Sequence, residues 1–157
     1  RPPRDGLVLH PRGRRIGVDV GTVRIGVAVC DPDGILATPV EAVPRGTAGK
    51  STQAQDEAAV GRLAEIVAEY EAVGVIVGLP RDLAGREALA AESVRRFVEG
   101  FQRAVAPVPV EFVDERMTTV SAARSLREAG KDSRKARWLI DQAAAVTILQ
   151  GWLDSVR

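Results

Sequence analysis

The feature that most limits the fold is a change of rhythm near residue 45. Before it, three short apolar segments follow one another: Arg15–Val20, Arg24–Cys30 and about Ile35–Val43. Only Gly21-Thr22-Val23 and Asp31-Pro32-Asp33-Gly34 separate them. Connections this tight pair strands antiparallel. Pro39 puts the third strand at an edge or a bulge. After residue 45, helical spacing over 53–71 (Ala59, Leu63, Ile66, Val67, Tyr70) leads into the apolar run Val73-Gly74-Val75-Ile76-Val77. Such a run is expected of a strand covered on both faces. A Gly/Pro loop over Gly78–Gly85, a helix over 86–104 and a strand over Val108–Val113 come next. Crossovers of this length favour parallel pairing. Thr118–Glu128 and about 134–154 read as two last helices, with Gly130 ending the first and Ser133 capping the second. The order βββαβαβαα predicts an α/β domain. Its mixed five-stranded sheet is an antiparallel meander followed by parallel strands, with helices on both faces.

Three carboxylates interrupt this pattern. Asp19 breaks the apolar run Ile16-Gly17-Val18-Asp19-Val20, and Glu115 follows the strand Val110-Glu111-Phe112-Val113. Asp141 falls on the apolar stripe of the last helix, aligned with Trp138, Ala145, Ile148 and Trp152. A carboxylate in an apolar interior costs several kcal/mol unless it is paired, protonated or metal-bound. Three at such positions point to a shared hard cation, Mg²⁺ or Mn²⁺, which takes oxygen ligands. The alternative for Asp19 is a strand-end residue accepting turn hydrogen bonds. For Asp141 it is a buried Asp satisfied by Arg or backbone. The glycines beside Asp19, namely Gly17, Gly21 and Gly26, leave room for an ion and a phosphate. Glu115 sits between a strand and a helix, where open α/β sheets place their sites.

Charge is uneven. Residues 116–137 carry seven basic side chains (Arg116, Arg124, Arg127, Lys131, Arg134, Lys135 and Arg137) against two acidic ones. Residues 16–115 carry nine basic against sixteen acidic. A basic stretch beside an acidic metal site suits a polyanionic substrate, and a solvated helix surface is the plainer alternative. The loops holding Thr22 and Arg24, and Gly78 to Asp82, lie near strand ends and within reach of phosphate. Residues 1–13, with three Pro and two Gly, read as a flexible N-terminal arm, and 14–157 as one domain. The Arg-rich start is not followed by an apolar core, so neither a signal peptide nor a membrane span is expected. The single cysteine, Cys30, fits a reducing cytoplasm.

The motifs Gly17-Val18-Asp19-Val20-Gly21-Thr22, Arg24-Ile25-Gly26-Val27-Ala28, Val77-Gly78-Leu79-Pro80, Asp114-Glu115-Arg116-Met117-Thr118-Thr119 and Asp141 to Leu149 stand in one order. Together they resemble the YqgF/RuvX-like family of Holliday-junction-resolvase-like proteins and pre-16S rRNA nucleases. The resemblance runs from about residue 14 to 154. It implies an RNase H-like fold with an acidic metal site, and Asp19, Glu115 and Asp141 as the catalytic residues. The loop Arg81-Asp82-Leu83-Ala84-Gly85 departs from the family pattern, which has an apolar residue, then Asn and later Asp-Gly.

Residues and resemblance converge on metal-dependent phosphodiester hydrolysis by an endonuclease. Two ions roughly 3.5–4 Å apart would clamp the scissile phosphate. The substrate would be structured RNA, such as the 5′ end of precursor 16S rRNA, or branched DNA. Thr22, Arg24, Arg116, Arg124, Arg127, Lys131, Arg134 and Lys135 are the candidate substrate contacts. A resolvase cutting a two-fold-symmetric junction suits a homodimer, and Cys30 at a strand end is a candidate for contact with its symmetry mate. The main rival is a non-catalytic nucleic-acid or ribosome-assembly binding protein. An actin-like ATPase reading of Asp19-Val20-Gly21-Thr22 needs a second large domain that 157 residues do not supply.

Overall fold

The computed structural model describes residues 11–21, 23–46, 52–80, 89–115 and 134–157; the side chains of 89–90 and 134–141 are outside that description. The strands are β1 (Arg15–Val20), β2 (Arg24–Cys30), β3 (Ala37–Pro44), β4 (Gly74–Leu79) and β5 (Val110–Asp114). The described helices are α1 (Gln53–Glu69), α2 (Leu89–Val105) and α3 (Arg134–Val156). The sheet order is β3-β2-β1-β4-β5. β1, β2 and β3 form the antiparallel meander, and β4 and β5 add in parallel. The helix expected at 118–128, Gly130 and Ser133 lie outside the described residues.

Period-two alternation divides the strands between two cores. Ile16, Val18 and Val20 of β1 pack with Leu63 and Ile66 of α1 and with Val94, Phe97 and Phe101 of α2. Ala28, Cys30 and Ile76 pack on the other face with Ala145, Ile148, Leu149 and Trp152 of α3. Both faces are therefore covered, which is why every residue of β1 and β4 is buried. Each fully buried aliphatic side chain contributes about 1.5–3 kcal/mol.

Local chemistry sets the element ends. Thr52 and Gln55 form a reciprocal capping box that opens α1. The helix stops where Glu71 takes a left-handed φ of 51°. In β3, Ala28 pairs with Pro39 and Val27 with Glu41, so Val40 is the extra residue of a bulge. Bulge and proline both mark an edge strand. Several boundaries differ from expectation: β3 begins at Ala37 rather than Ile35, β5 runs Val110–Asp114 rather than Val108–Val113, and β4 continues through Gly78 and Leu79, which the sequence reads as the start of a loop. The glycine is there for space. A Cβ on Gly78 would stand 2.5 Å from Ile148 Cδ1. Gly17 plays the same role under α3, where a Cβ would stand 2.7 Å from Leu149 Cβ and 2.9 Å from the Ala145 carbonyl oxygen.

Candidate active site

Asp19 is the fifth residue of β1 and is 1% exposed. It alternates with Gly17, so its side chain leaves the sheet on the face that carries α3. Across the sheet it pairs with Gly26 of β2. On the other side β1 pairs with β4 as far as Val18 with Val77, which sets Gly78 level with Asp19. Glycines thus flank the carboxylate on both neighbouring strands.

Glu115 directly follows β5 and is 4% exposed. Its Oε2 lies 3.0 Å from the point where a Cβ on Gly78 would stand. The glutamate therefore reaches back over β4 toward the residue level with Asp19. β4 lies between β1 and β5, so their backbones stand two strand spacings of about 4.8 Å apart, with Gly78 on the strand between the two carboxylates. Both come from the carboxyl ends of parallel strands, β1 and β5 on either side of β4, the rim where sheets of this class hold their ligands.

The third expected carboxylate, Asp141, lies within α3, but its side chain is outside the described ones. The residues aligned with it, Ala145, Ile148 and Trp152, face the sheet as expected. Next to it, Gln142 is buried, and its Nε2 has no hydrogen-bond partner among the described residues. Among the described residues no group of three His, Cys, Asp or Glu stands close enough to hold a metal ion. Only Asp19 and Glu115 of the proposed trio enter that count. What is described fits a hard divalent cation in two respects. The donors are carboxylate oxygens, and the glycine floor keeps clear the space beside Glu115.

Of the candidate substrate contacts, Arg24 opens β2 and is half-buried beside the β1–β2 turn. Arg134 and Lys135 begin α3, with side chains outside the described ones. Thr22, Arg116, Arg124, Arg127 and Lys131 lie outside the described residues. The expectation for Cys30 is corrected. It is 2% exposed, covered by α3, and its sulfur accepts the Arg15 backbone N–H at 3.2 Å. Burial pushes its thiol up from the ordinary value. It presents no sulfur to a second subunit.

Arg45, which the sequence leaves in a loop, ties the turn beside Asp19 to both helices of the opposite face. It is 6% exposed. Its Nη1 donates to the Gly21 carbonyl at 3.0 Å, its Nε to Asp56 of α1 at 2.9 Å, and its Nη2 to Ser93 of α2 at 3.4 Å. Its backbone N–H also donates to the Val23 carbonyl at 2.8 Å. An arginine followed by a helix cap is the only sequence signal, and it is a weak one.

The family model described as RuvX, Holliday junction resolvase, matches residues 13–155. The chain belongs to the RuvX family. A Rhodococcus opacus (strain B4) protein named "Putative pre-16S rRNA nuclease" is 57% identical to this RuvX-family chain over 153 residues, covering 98% of the chain and 84% of the relative. A Streptomyces coelicolor protein of the same name is 58% identical over 146 residues, covering 93% and 83%. Among solved structures, Thermus thermophilus RuvC in complex with Holliday junction substrate superposes with a TM-score of 0.57. It is 16% identical and covers 88% of this chain and 92% of its own. That likeness is one of fold, and the RuvX-family sheet is RNase H-like.

Proposed function

We propose that this protein is a metal-dependent endonuclease that hydrolyses phosphodiester bonds of structured nucleic acid. The observation that carries the reading is the placement of Asp19 and Glu115. Both are buried carboxylates, Glu115 reaches Gly78, and the strand register sets Gly78 level with Asp19. Family membership supports it, as do relatives named for precursor 16S rRNA. The substrates that follow are the 5′ end of precursor 16S rRNA, a Holliday junction, or both, met in the cytoplasm.

In this reading Asp19, Glu115 and Asp141 would hold Mg²⁺ or Mn²⁺, two ions in all. Bound divalent cations supply Lewis-acid activation of water and of the scissile phosphate. The chain's own residues supply the rest. Asp19 offers carboxylate oxygens from the rigid central strand. Glu115 offers its own from the end of β5, fixed over Gly78. Sheet burial keeps both ligands in one geometry, which limits reorganisation during the reaction. Thr22, Arg24, Arg116 and the basic positions Arg124, Arg127, Lys131, Arg134 and Lys135 hold flanking phosphates, so affinity falls with salt. A homodimer would present two such sites to a two-fold-symmetric junction.

The test is cleavage, with Mg²⁺ or Mn²⁺, of a labelled four-way DNA junction and a precursor rRNA leader. Wild type runs beside Asp19→Asn. Loss of cleavage in a folded Asp19→Asn protein is expected, and the substrate that wild type cuts identifies the polymer. Binding without cleavage by metal-replete wild type would establish the non-catalytic binder instead.

A further inference from the structure

Arg15 begins β1, at the opposite end of that strand from Asp19. It is 7% exposed. Its guanidinium lies 5.1 Å from the Trp152 ring centroid. Nη2 donates to the Pro11 carbonyl at 2.9 Å and Nη1 to the Gly13 carbonyl at 3.4 Å. Among the described residues no carboxylate forms an ion pair with it. Carbonyl dipoles and a ring face offset only part of the cost of burying a full charge.

This cation lines a crevice of about 240 Å³ that also takes in Arg12, Asp33 and Arg157. Arg12 Nε donates to Asp33 at 2.7 Å, which leaves its two terminal nitrogens without a bond among the described residues. Arg157 pairs with Asp154 and donates to the Gly34 carbonyl at 3.1 Å. Three guanidiniums against two carboxylates, Asp33 in the lining and Asp154 on Arg157, leave the crevice the net positive charge of Arg15.

We propose that this crevice is an anion site, distinct from the carboxylates, that takes a phosphate group. Guanidinium forks match phosphate oxygens in geometry as well as charge. The volume falls below the roughly 300–1,000 Å³ of pockets for drug-sized ligands, so it suits one phosphate rather than a larger ligand. Two sources present that group: free inorganic phosphate, or the backbone of the nucleic acid. Four residue steps along β1 at about 3.3 Å each put Asp19 about 13 Å from Arg15. The second source rests on the nuclease reading; the first does not.

The full chain is titrated with inorganic phosphate by calorimetry in metal-free buffer with chelator. Wild type and Asp19→Asn are expected to bind one phosphate alike. Arg15→Met and the pair Arg12→Gln/Arg157→Gln are expected to weaken it at least about tenfold, the loss of a charge-assisted hydrogen bond or more. If Arg15→Met fails to fold, the rim pair decides. Wild type that never saturates, or variants that bind like wild type, overturns the site. A second titration uses a four-way junction under the same chelated conditions, where no cleavage is needed. Weaker junction binding, with a salt slope smaller by about 0.9 per lost phosphate, assigns the site to the backbone. Unchanged junction binding with phosphate lost assigns it to the free ion. Neither titration depends on catalysis, so a wild type that cuts nothing removes the nuclease reading and leaves the anion site to be judged separately.

Discussion

Gly78 carries two demands that one added methyl group separates. In Gly78→Ala the new Cβ would stand 2.5 Å from Ile148 Cδ1 and 3.0 Å from Glu115 Oε2. The first contact is a matter of packing and the second of the site. Overpacking a tight core costs about 1–3 kcal/mol, and replacing Gly by Ala returns about 0.4–1 kcal/mol through the unfolded chain. The net expectation is about 1–2 kcal/mol of destabilisation, or about 2–8 °C in Tm for a chain of this size. Ile148→Val removes Cδ1 and alone costs about 0.5–1.5 kcal/mol. In the double variant the closest atom is gone and only Cγ1, 3.1 Å from the new Cβ, remains tight, so the two costs should fall short of their sum by about 1 kcal/mol. Activity should behave differently. The carboxylate still has to retreat by a few tenths of an ångström, and a misplacement of about 1 Å costs about a hundredfold. About a tenfold loss in cleavage rate is expected in both Gly78→Ala and the double variant, and little loss in Ile148→Val. Urea denaturation and single-turnover cleavage on the same preparations check this. A double variant that recovers activity along with stability would refute the claim that Gly78 makes room for Glu115.

Three further outcomes are expected. Arg45→Met should cost about 2–3 kcal/mol in urea denaturation, since it leaves Asp56 and the Gly21 carbonyl without their donor; unchanged stability would count against the tie. Cys30 should react with an aromatic disulfide far more slowly in the native than in the unfolded protein, and oxidised wild type should run as a monomer on non-reducing gels. Asp31 accepts the Ile35 and Leu36 backbone N–H groups at 2.9 and 2.7 Å, and these bonds hold its carboxyl below the usual range. Its contribution to the β2–β3 turn is therefore full above the unfolded carboxyl value, about pH 4, and lost as pH falls through the lower folded one. Faster amide exchange at Ile35 and Leu36 under acid, absent in Asp31→Asn, is the check.

Much of this was legible in the residues, for identifiable reasons. Two tight turns fix the meander, and two long crossovers with an apolar strand between them fix the parallel half. The stripe Ala59, Leu63, Ile66 and Val67 is fully buried as its spacing predicts. What escaped depends on contacts between distant segments. Gly78 reads as a loop residue because its reason for being in a strand is Ile148, far along the chain. Arg45 reads as a loop charge because its three acceptors come from three different elements. Cys30 reads as a strand end open to a partner because nothing local says that α3 covers it.

The last helix has a bearing on when the site can exist. A chain is made from its amino end, and β1, β2 and β3 pair through neighbouring segments, so the meander needs nothing downstream. Glu115 arrives only after β5, and α3, which packs on the same face as Asp19, comes later still in the chain. Pairings between distant segments are also the slower ones to form. A nascent RuvX-family chain would thus carry an ordered Asp19 strand well before Glu115 and the covering helix could join it.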